Sequence, residues 1–228
     1  MKRQEVGGVP GNVLGMMADL ALKLQNGVIT PGQFGKFLKK QNPFVHGDCL
    51  ELIASWQAFY HDLGIDCDLS GVIIPNDPGG FGRVIIMAQG ITPQSAYDLC
   101  AKSFPCWKYT DNNLDKIVTS DRTTKDGSYA IRVRDRVEAD EELKNLSYND
   151  LEKQGIIGIT LEEREIYELK FFKETGKHLD IKNTTLCSGS RYSYGNVPYV
   201  YWYVDEMCVD WYCAVDAYDS LRSRQAVS

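Results

Sequence analysis

Helical spacing of apolar side chains dominates the beginning of the chain. Residues 12–26 place apolar side chains three and four positions apart, which predicts an amphipathic helix. Thr30 and Pro31 predict the N-cap and first position of a second helix. Asp48 is expected to cap a third helix. The sequence therefore predicts a helical N-terminal segment over residues 1–66.

The pattern becomes mixed after residue 66, because short apolar runs with a period of two alternate with helical spacing. Thr160 and Glu163 form a capping box, which predicts the start of one of these helices. The predicted helices of this part are residues 93–104, 113–120, 138–153 and 161–175. The predicted strands are residues 72–74, 83–88, 106–109, 129–133, 185–190, 197–202, 207–211 and 221–227. The interpretation is an α+β protein with a second domain over residues 67–228.

Composition limits the classes of partner. The 228 residues carry 25 Lys and Arg against 31 Asp and Glu, a net charge of −6, which disfavours nucleic acid as a partner. No signal peptide and no membrane-length apolar run are found, so a cytoplasmic protein without a membrane span is expected. The seven Cys lack metal or redox spacing, which favours free thiols, and pairing of Cys208 with Cys213 stays open.

No group of residues carries the spacing of a catalytic or metal site. His46, His61 and His178 have no metal-ligand spacing, and each is interpreted as structural or exposed. The glycine-rich loop at 75–82 precedes a strand, whereas a phosphate cradle needs a helix there. The acidic run at 138–142 is expected to begin a helix, and arginines 132, 134 and 136 to pair with it. We therefore predict no enzyme activity, no catalytic residue, no cofactor and no metal.

Tyrosine is concentrated at the end of the chain, where seven of the 13 fall in the last 42 residues. There it is interleaved with Ser, Gly, Asn and Asp, a composition typical of recognition surfaces. Strand alternation places Tyr199, Tyr201 and Tyr203 on one face, and Val200 with Trp202 on the other. The alternative is a tyrosine-rich sheet that packs into its own core.

Several segments of the chain have the texture of one known family. They are Thr185–Arg191, Gly195–Pro198, Trp202, Trp211, Leu221–Ser228, Ala130–Glu142, Phe171–Asp180 and, more loosely, Phe37–Phe44. These segments resemble the variable proteins of diversity-generating retroelements, especially those of uncultured microbes with reduced genomes. The resemblance covers most of the chain and carries no catalytic motif.

The resemblance implies a C-type lectin-like fold with a diversified region at about residues 187–228. In such systems a reverse transcriptase copies a template with errors at adenines, and the copy replaces the end of the variable gene. Template Asn codons then cannot yield Lys, Gln, Glu, Met or Trp. Only Trp202, Glu206, Met207 and Trp211 between residues 192 and 220 belong to that set. The chain lacks the Glu-Pro-Asn and Trp-Asn-Asp triplets of calcium-dependent lectins, which argues against calcium-mediated sugar binding.

We therefore expect a non-enzymatic protein that binds a protein or other macromolecular ligand through a hypervariable C-terminal surface. Trp202, Trp211, Val200 and Val209 are expected to be scaffold. The predicted exposed ligand-binding residues are Tyr192, Tyr194, Asn196, Tyr199, Tyr201, Tyr203, Asp205, Asp210, Tyr212, Asp216, Tyr218 and Asp219. Two alternatives stay open. One is a hydrolase-like enzyme with a His and carboxylate site. The other is a helix-turn-helix regulator with Lys36, Lys39 and Lys40 on its second helix.

Overall fold

The computed structural model describes residues 11–38 and 47–228. The chain divides into two compact units, one that ends at Leu52 and one that runs from Ile53 to Ser228. This division lies within the third helix, earlier than the boundary expected after residue 66. Trp56 and Tyr60, which follow it on that helix, are buried, and the Tyr60 hydroxyl donates to the Ile86 carbonyl at 2.7 Å.

The described residues of the N-terminal part form three helices: α1 (Gly11–Gln25), α2 (Pro31–Leu38) and α3 (Gly47–Asp62). The predictions of helices over 12–26 and from Pro31 onward are confirmed. Because α3 begins at Gly47, Asp48 lies inside its first turn and is not the N-cap. His46, Lys39 and Lys40 lie outside the described residues, as does the side chain of Lys36.

Three further helices lie in the larger unit: α4 (Pro93–Ala101), α5 (Tyr148–Lys153) and α6 (Leu161–Thr175). The capping box of α6 is formed as predicted, since the Thr160 side chain accepts from the Glu163 N–H and the Glu163 carboxylate accepts from the Thr160 N–H. Gly176 ends α6 with a φ of 67°, a left-handed conformation that glycine adopts without strain.

The predicted acidic helix over 138–153 forms only in part, as a short 3₁₀ turn at Glu141–Leu143 followed by α5. Its acids pair instead with arginines that follow a neighbouring strand, since Arg134 bonds Asp140 at 2.6 Å and Arg136 bonds Glu142 at 2.6 Å. The expected ion pairing is therefore confirmed for these two arginines. Arg132 differs, because its guanidinium donates to backbone carbonyls.

Nine strands make up the sheets described here: β1 (Arg83–Met87), β2 (Cys106–Lys108), β3 (Val118–Ser120), β4 (Tyr129–Val133), β5 (Thr184–Leu186), β6 (Ser190–Tyr192), β7 (Val197–Tyr203), β8 (Glu206–Tyr212) and β9 (Leu221–Ser223). A five-stranded sheet has the order β2-β8-β7-β5-β9, while β1 pairs with β4 and β3 with β6. The chain is thus α+β, as predicted.

One predicted strand does not form, and one predicted helix forms only as a short 3₁₀ turn. Residues 72–74 form no strand, because Ile73 is exposed and the segment makes no ladder partner. The helix predicted over 113–120 is a 3₁₀ turn at Leu114–Lys116 followed by β3, which pairs with β6. In both places tertiary pairing, and not local spacing, decides the conformation.

A buried ionic network ties the C-terminal segment to α6. The Asp180 carboxylate accepts from Arg164 Nε at 2.9 Å, from Arg224 Nη2 at 2.7 Å and from Thr185 Oγ1 at 2.5 Å. Arg164 also bonds Glu168 at 2.8 Å, and these charged side chains are almost completely buried. The last strand is therefore anchored in the core by charge as well as by pairing with β5.

Candidate ligand-binding surface

The strands β7 and β8 form an antiparallel hairpin with a two-residue turn, Val204-Asp205. Residues directly opposite in such a pair project to the same side of the sheet. Tyr203 lies opposite Glu206, Tyr201 opposite Cys208 and Tyr199 opposite Asp210. We call this side the tyrosine face; it consists of Tyr199, Tyr201, Tyr203, Glu206, Cys208, Asp210 and Tyr212.

Four tyrosine rings on and beside the tyrosine face form a continuous aromatic row, in the order Tyr201, Tyr199, Tyr212 and Tyr218. Tyr199 stacks on Tyr212 with centroids 4.1 Å apart and an angle of 18° between the planes. Tyr201 lies 5.5 Å from Tyr199, and Tyr218 lies 5.1 Å from Tyr212. Aromatic pairs at these distances fix one another's rotamers, so the row is a preorganised surface.

Burial along the tyrosine face is graded from Tyr199 to the hairpin tip. Tyr199 is only 8% exposed, because it packs in a cluster with Leu143, Leu151 and Leu186. Tyr201 and Tyr212 are half-buried at the border of this cluster. Tyr203, at the hairpin tip, is 63% exposed. The prediction that Tyr199 is exposed is therefore wrong, whereas the exposure of Tyr203 is confirmed.

Burial also affects the ionisation of the phenols. It raises the pKa of Tyr201 to about 12, with the thiolate of Cys208 adding to the effect. It raises the pKa of Tyr199 further, and the charge of Asp210 contributes. The phenols of Tyr199 and Tyr201 are therefore neutral at physiological pH and act as hydrogen-bonding groups.

The opposite side of the hairpin is scaffold. Val200, Val209 and Met207 are completely buried there, which confirms the prediction for the two valines. Trp202 is half-buried and packs on Phe104 and His178.

Trp211, predicted as scaffold, is 38% exposed, so this prediction is wrong. It lies near the end of β8, where Tyr109 is its one ring contact in the described residues, at 6.3 Å. A residue near a strand end gains less cover from neighbouring strands than one at its centre, which explains the exposure.

The predicted site residues that precede β7 do not belong to the tyrosine face. Tyr192 lies on β6, is buried and packs on Tyr109 at 5.1 Å, so its predicted exposure is wrong. Tyr194 is 93% exposed in the turn that follows β6, as predicted. Asn196 is half-buried, and its carbonyl accepts from the Tyr192 N–H at 2.8 Å.

The predicted acidic residues surround the aromatic row. Asp205 and Asp219 are exposed, whereas Asp210 and Asp216 are half-buried. Asp210 accepts from the Trp211 N–H at 2.8 Å and from the Tyr199 hydroxyl at 3.3 Å. Asp216 accepts from the Cys213 N–H at 2.9 Å. Tyr218 is exposed, as predicted.

The hairpin tip contains a residue that is unfavourable for its conformation. Val204 has a φ of 55° and is 81% exposed. A β-branched residue is strained in the left-handed region, where Gly, Asn or Asp is preferred. Because the Val204 side chain is exposed, burial does not offset this strain.

One histidine meets the geometric condition set by the enzyme alternative. His178 Nδ1 lies 2.9 Å from the buried Glu168 carboxylate, which Arg164 also binds. The His178 ring stacks on Phe172 at 4.7 Å and lies 3.6 Å from Trp202. None of the contacts that His178 makes with the described residues is to a Ser, Thr or Cys nucleophile. His61 is exposed beside Asp62, and His46 lies outside the described residues.

Comparison with known proteins finds no family model, no curated protein and no solved structure that matches this chain. Within residues 11–38 and 47–228, no helix has the length and apolar character needed to cross a membrane. No group of three or more His, Cys, Asp and Glu side chains in this part of the chain is arranged to hold a metal ion. All seven cysteines are free thiols, which excludes a Cys208–Cys213 bridge in this structure.

Proposed function

We propose that this protein is a non-enzymatic binder whose ligand surface has two exposed parts: the hairpin tip with Tyr203, Val204 and Asp205, and the other end of the aromatic row with Tyr218 and Asp219. The observation that carries the proposal is the graded exposure along the tyrosine face, from buried Tyr199 to exposed Tyr203 at the hairpin tip. Exposed clustered aromatics mark interaction surfaces, since tyrosine supplies contact area at low entropic cost.

The scaffold behind this surface suits a binding role. Val200 and Val209 are completely buried on the opposite side of the same hairpin, and the central sheet continues on both sides of it. Side chains can therefore change on the exposed end without a change in the core. We propose on this basis, and on the resemblance, that the scaffold is C-type lectin-like.

We further propose that retroelement-guided adenine mutagenesis diversifies the region at about residues 187–228. The strained Val204 supports this part, because folding stability alone would favour Gly or Asn there. Within this region we expect Leu221, Ser223 and Arg224 to stay unchanged, since they are buried and a change at these positions would disrupt the core.

Sequencing of the genomic locus tests the diversification. We expect a reverse transcriptase gene nearby and a near-copy of codons 187–228. The near-copy should carry adenine at each position where the two copies differ. A locus without the near-copy, or with differences at other bases, would refute diversification.

A displayed library tests the binding role. One library randomises positions 203, 204, 205 and 218, and a matched library randomises the exposed positions 111, 112, 125 and 126. We expect selection against an arbitrary folded protein to yield binders from the first library and few from the second. Equal yields would show that the tyrosine face has no special binding capacity.

The His178–Glu168 pair favours the hydrolase-like alternative as a second candidate. Glu168 holds Nδ1, which orients the ring as the carboxylate does in a general base. Packing of the ring between Phe172 and Trp202 favours a structural role instead. Turnover of ester substrates that is lost in H178Q would support the enzyme, and no turnover by the wild-type protein would support the binder.

A further inference from the structure

The charge of the candidate surface is one-sided. Residues 192–220 contain no Lys, Arg or His. The carboxylates in this segment are Asp205, Glu206, Asp210, Asp216 and Asp219. These five charges account for most of the net charge of −6 of the chain. The negative charge is therefore concentrated in the segment that carries the tyrosine row.

These carboxylates are not neutralised by the described part of the protein. No basic nitrogen among the described residues lies within 4.0 Å of any of them, and their hydrogen-bond donors are backbone N–H groups and the Tyr199 hydroxyl. Carboxylates elsewhere in the larger unit do have basic partners, since Glu163 is paired with Arg122 and Asp140 with Arg134. The surface thus leaves its negative charges available to a ligand.

Acidic and aromatic side chains are also interleaved. Glu206 is directly opposite Tyr203, and Asp210 is directly opposite Tyr199. The Tyr199 hydroxyl donates to the Asp210 carboxylate at 3.3 Å, and Tyr199 stacks on Tyr212 at 4.1 Å, so this carboxylate lies beside the stacked rings. The surface therefore offers ring faces and carboxylates side by side.

We propose that the tyrosine face binds a cationic segment, rich in Lys or Arg, of a partner protein. This inference rests on the proposed binding function and names the chemistry of the ligand. A cation over a tyrosine ring and beside a carboxylate gains from both groups. An apolar or anionic partner would bury Asp210 and Glu206 without a counter-charge, which is costly.

A fluorescent nonalysine peptide, titrated with the full-length protein at low salt and followed by anisotropy, tests this inference. We expect the double substitution D205N/E206Q to weaken binding roughly twofold to thirtyfold, because two ion pairs with the peptide are lost. The substitution Y203A should weaken it by a similar or smaller factor through loss of the cation–π contact.

The matched control is D111N/D126N, which removes the same charge from two exposed sites outside the surface. We expect this variant to bind nonalysine like the wild-type protein, and nonaglutamate to bind none of the proteins. Circular dichroism confirms that each variant is folded. The expected result also includes a loss of affinity at high salt.

Two outcomes would overturn the inference. One is an equal loss of affinity in both double variants, which would show attraction by net charge alone. The other is no binding of nonalysine by the folded wild-type protein. Neither outcome changes the result of the locus sequencing or the library selection, so the proposed function is tested separately.

Discussion

The substitution D180N tests the buried ionic network that holds the C-terminal segment. Asp180 is completely buried and accepts from Arg164, Arg224 and Thr185. The amide of Asn has the same shape but no charge, so two buried guanidinium groups lose their shared counter-ion. Removing one partner of a buried ion pair costs about 3–5 kcal/mol, a large part of a typical total of about 5–15 kcal/mol.

This loss should be visible in both chemical and thermal unfolding. For a protein of this length each kcal/mol corresponds to roughly 2–4 °C, so the melting temperature should fall by roughly 10 °C. Urea unfolding, followed by tryptophan fluorescence, measures the free energy directly. The control is D126N, which removes the same charge from an exposed turn and should change stability little.

The pH dependence provides a second readout. Burial raises the pKa of Asp180, but the charges of Arg224 and Arg164 outweigh it, and the pKa lies below the ordinary value of 3.8. Its stabilisation is present above that value and is lost as pH falls through the lower folded-state pKa. The difference between wild type and D180N should therefore shrink in strong acid. A D180N protein within about 1 kcal/mol of wild type at pH 7 would refute this reasoning.

Three other substitutions should change the free energy of unfolding: E165L and V204G should raise it, and G189A should lower it. Burial raises the pKa of Glu165 well above its ordinary value, and neither carboxylate oxygen has a hydrogen-bond partner among the described residues. E165L should therefore raise the free energy of unfolding by about 1–4 kcal/mol at pH 7. The wild-type protein loses stability as pH rises above the ordinary Glu pKa, so urea unfolding at pH 5 should show a smaller gain. V204G should gain about 1 kcal/mol in the same assay by relief of the left-handed strain, and no gain would contradict the strain. G189A should lose about 1–3 kcal/mol, because its Cβ would lie 2.7 Å from the Gly158 carbonyl oxygen, whereas G15A in open space should lose nothing.

Local sequence patterns were sufficient to predict the helices and strands that depend on contacts between residues close together in the chain. The capping box of Thr160 and Glu163, with Gly176 at the other end, defined α6, because these contacts lie within one helix. Alternation defined β4, β7 and β8, since one side of each strand must face the core. The same alternation placed Tyr199, Tyr201 and Tyr203 on a common face, which the register of β7 and β8 confirms.

Alternation could not predict how much of each ring is exposed. Tyr199 and Tyr203 share a face, yet Leu143 and Leu151, from a distant part of the chain, cover only the end at Tyr199. Tyr192 is buried for a similar reason, because Tyr109 packs on it. A sequence pattern reports which side of a strand a residue occupies, but not what lies on that side.

The sequence by itself thus determined the α+β class, the strands of the hairpin and the concentration of Tyr and Asp at the end of the chain. Only the tertiary structure decided which of these residues are exposed. It also brought together His178 with Glu168, and Arg224 with Asp180. The physical reason is that propensity and periodicity act over a few residues, whereas burial and ion pairing depend on segments that meet only when the chain folds.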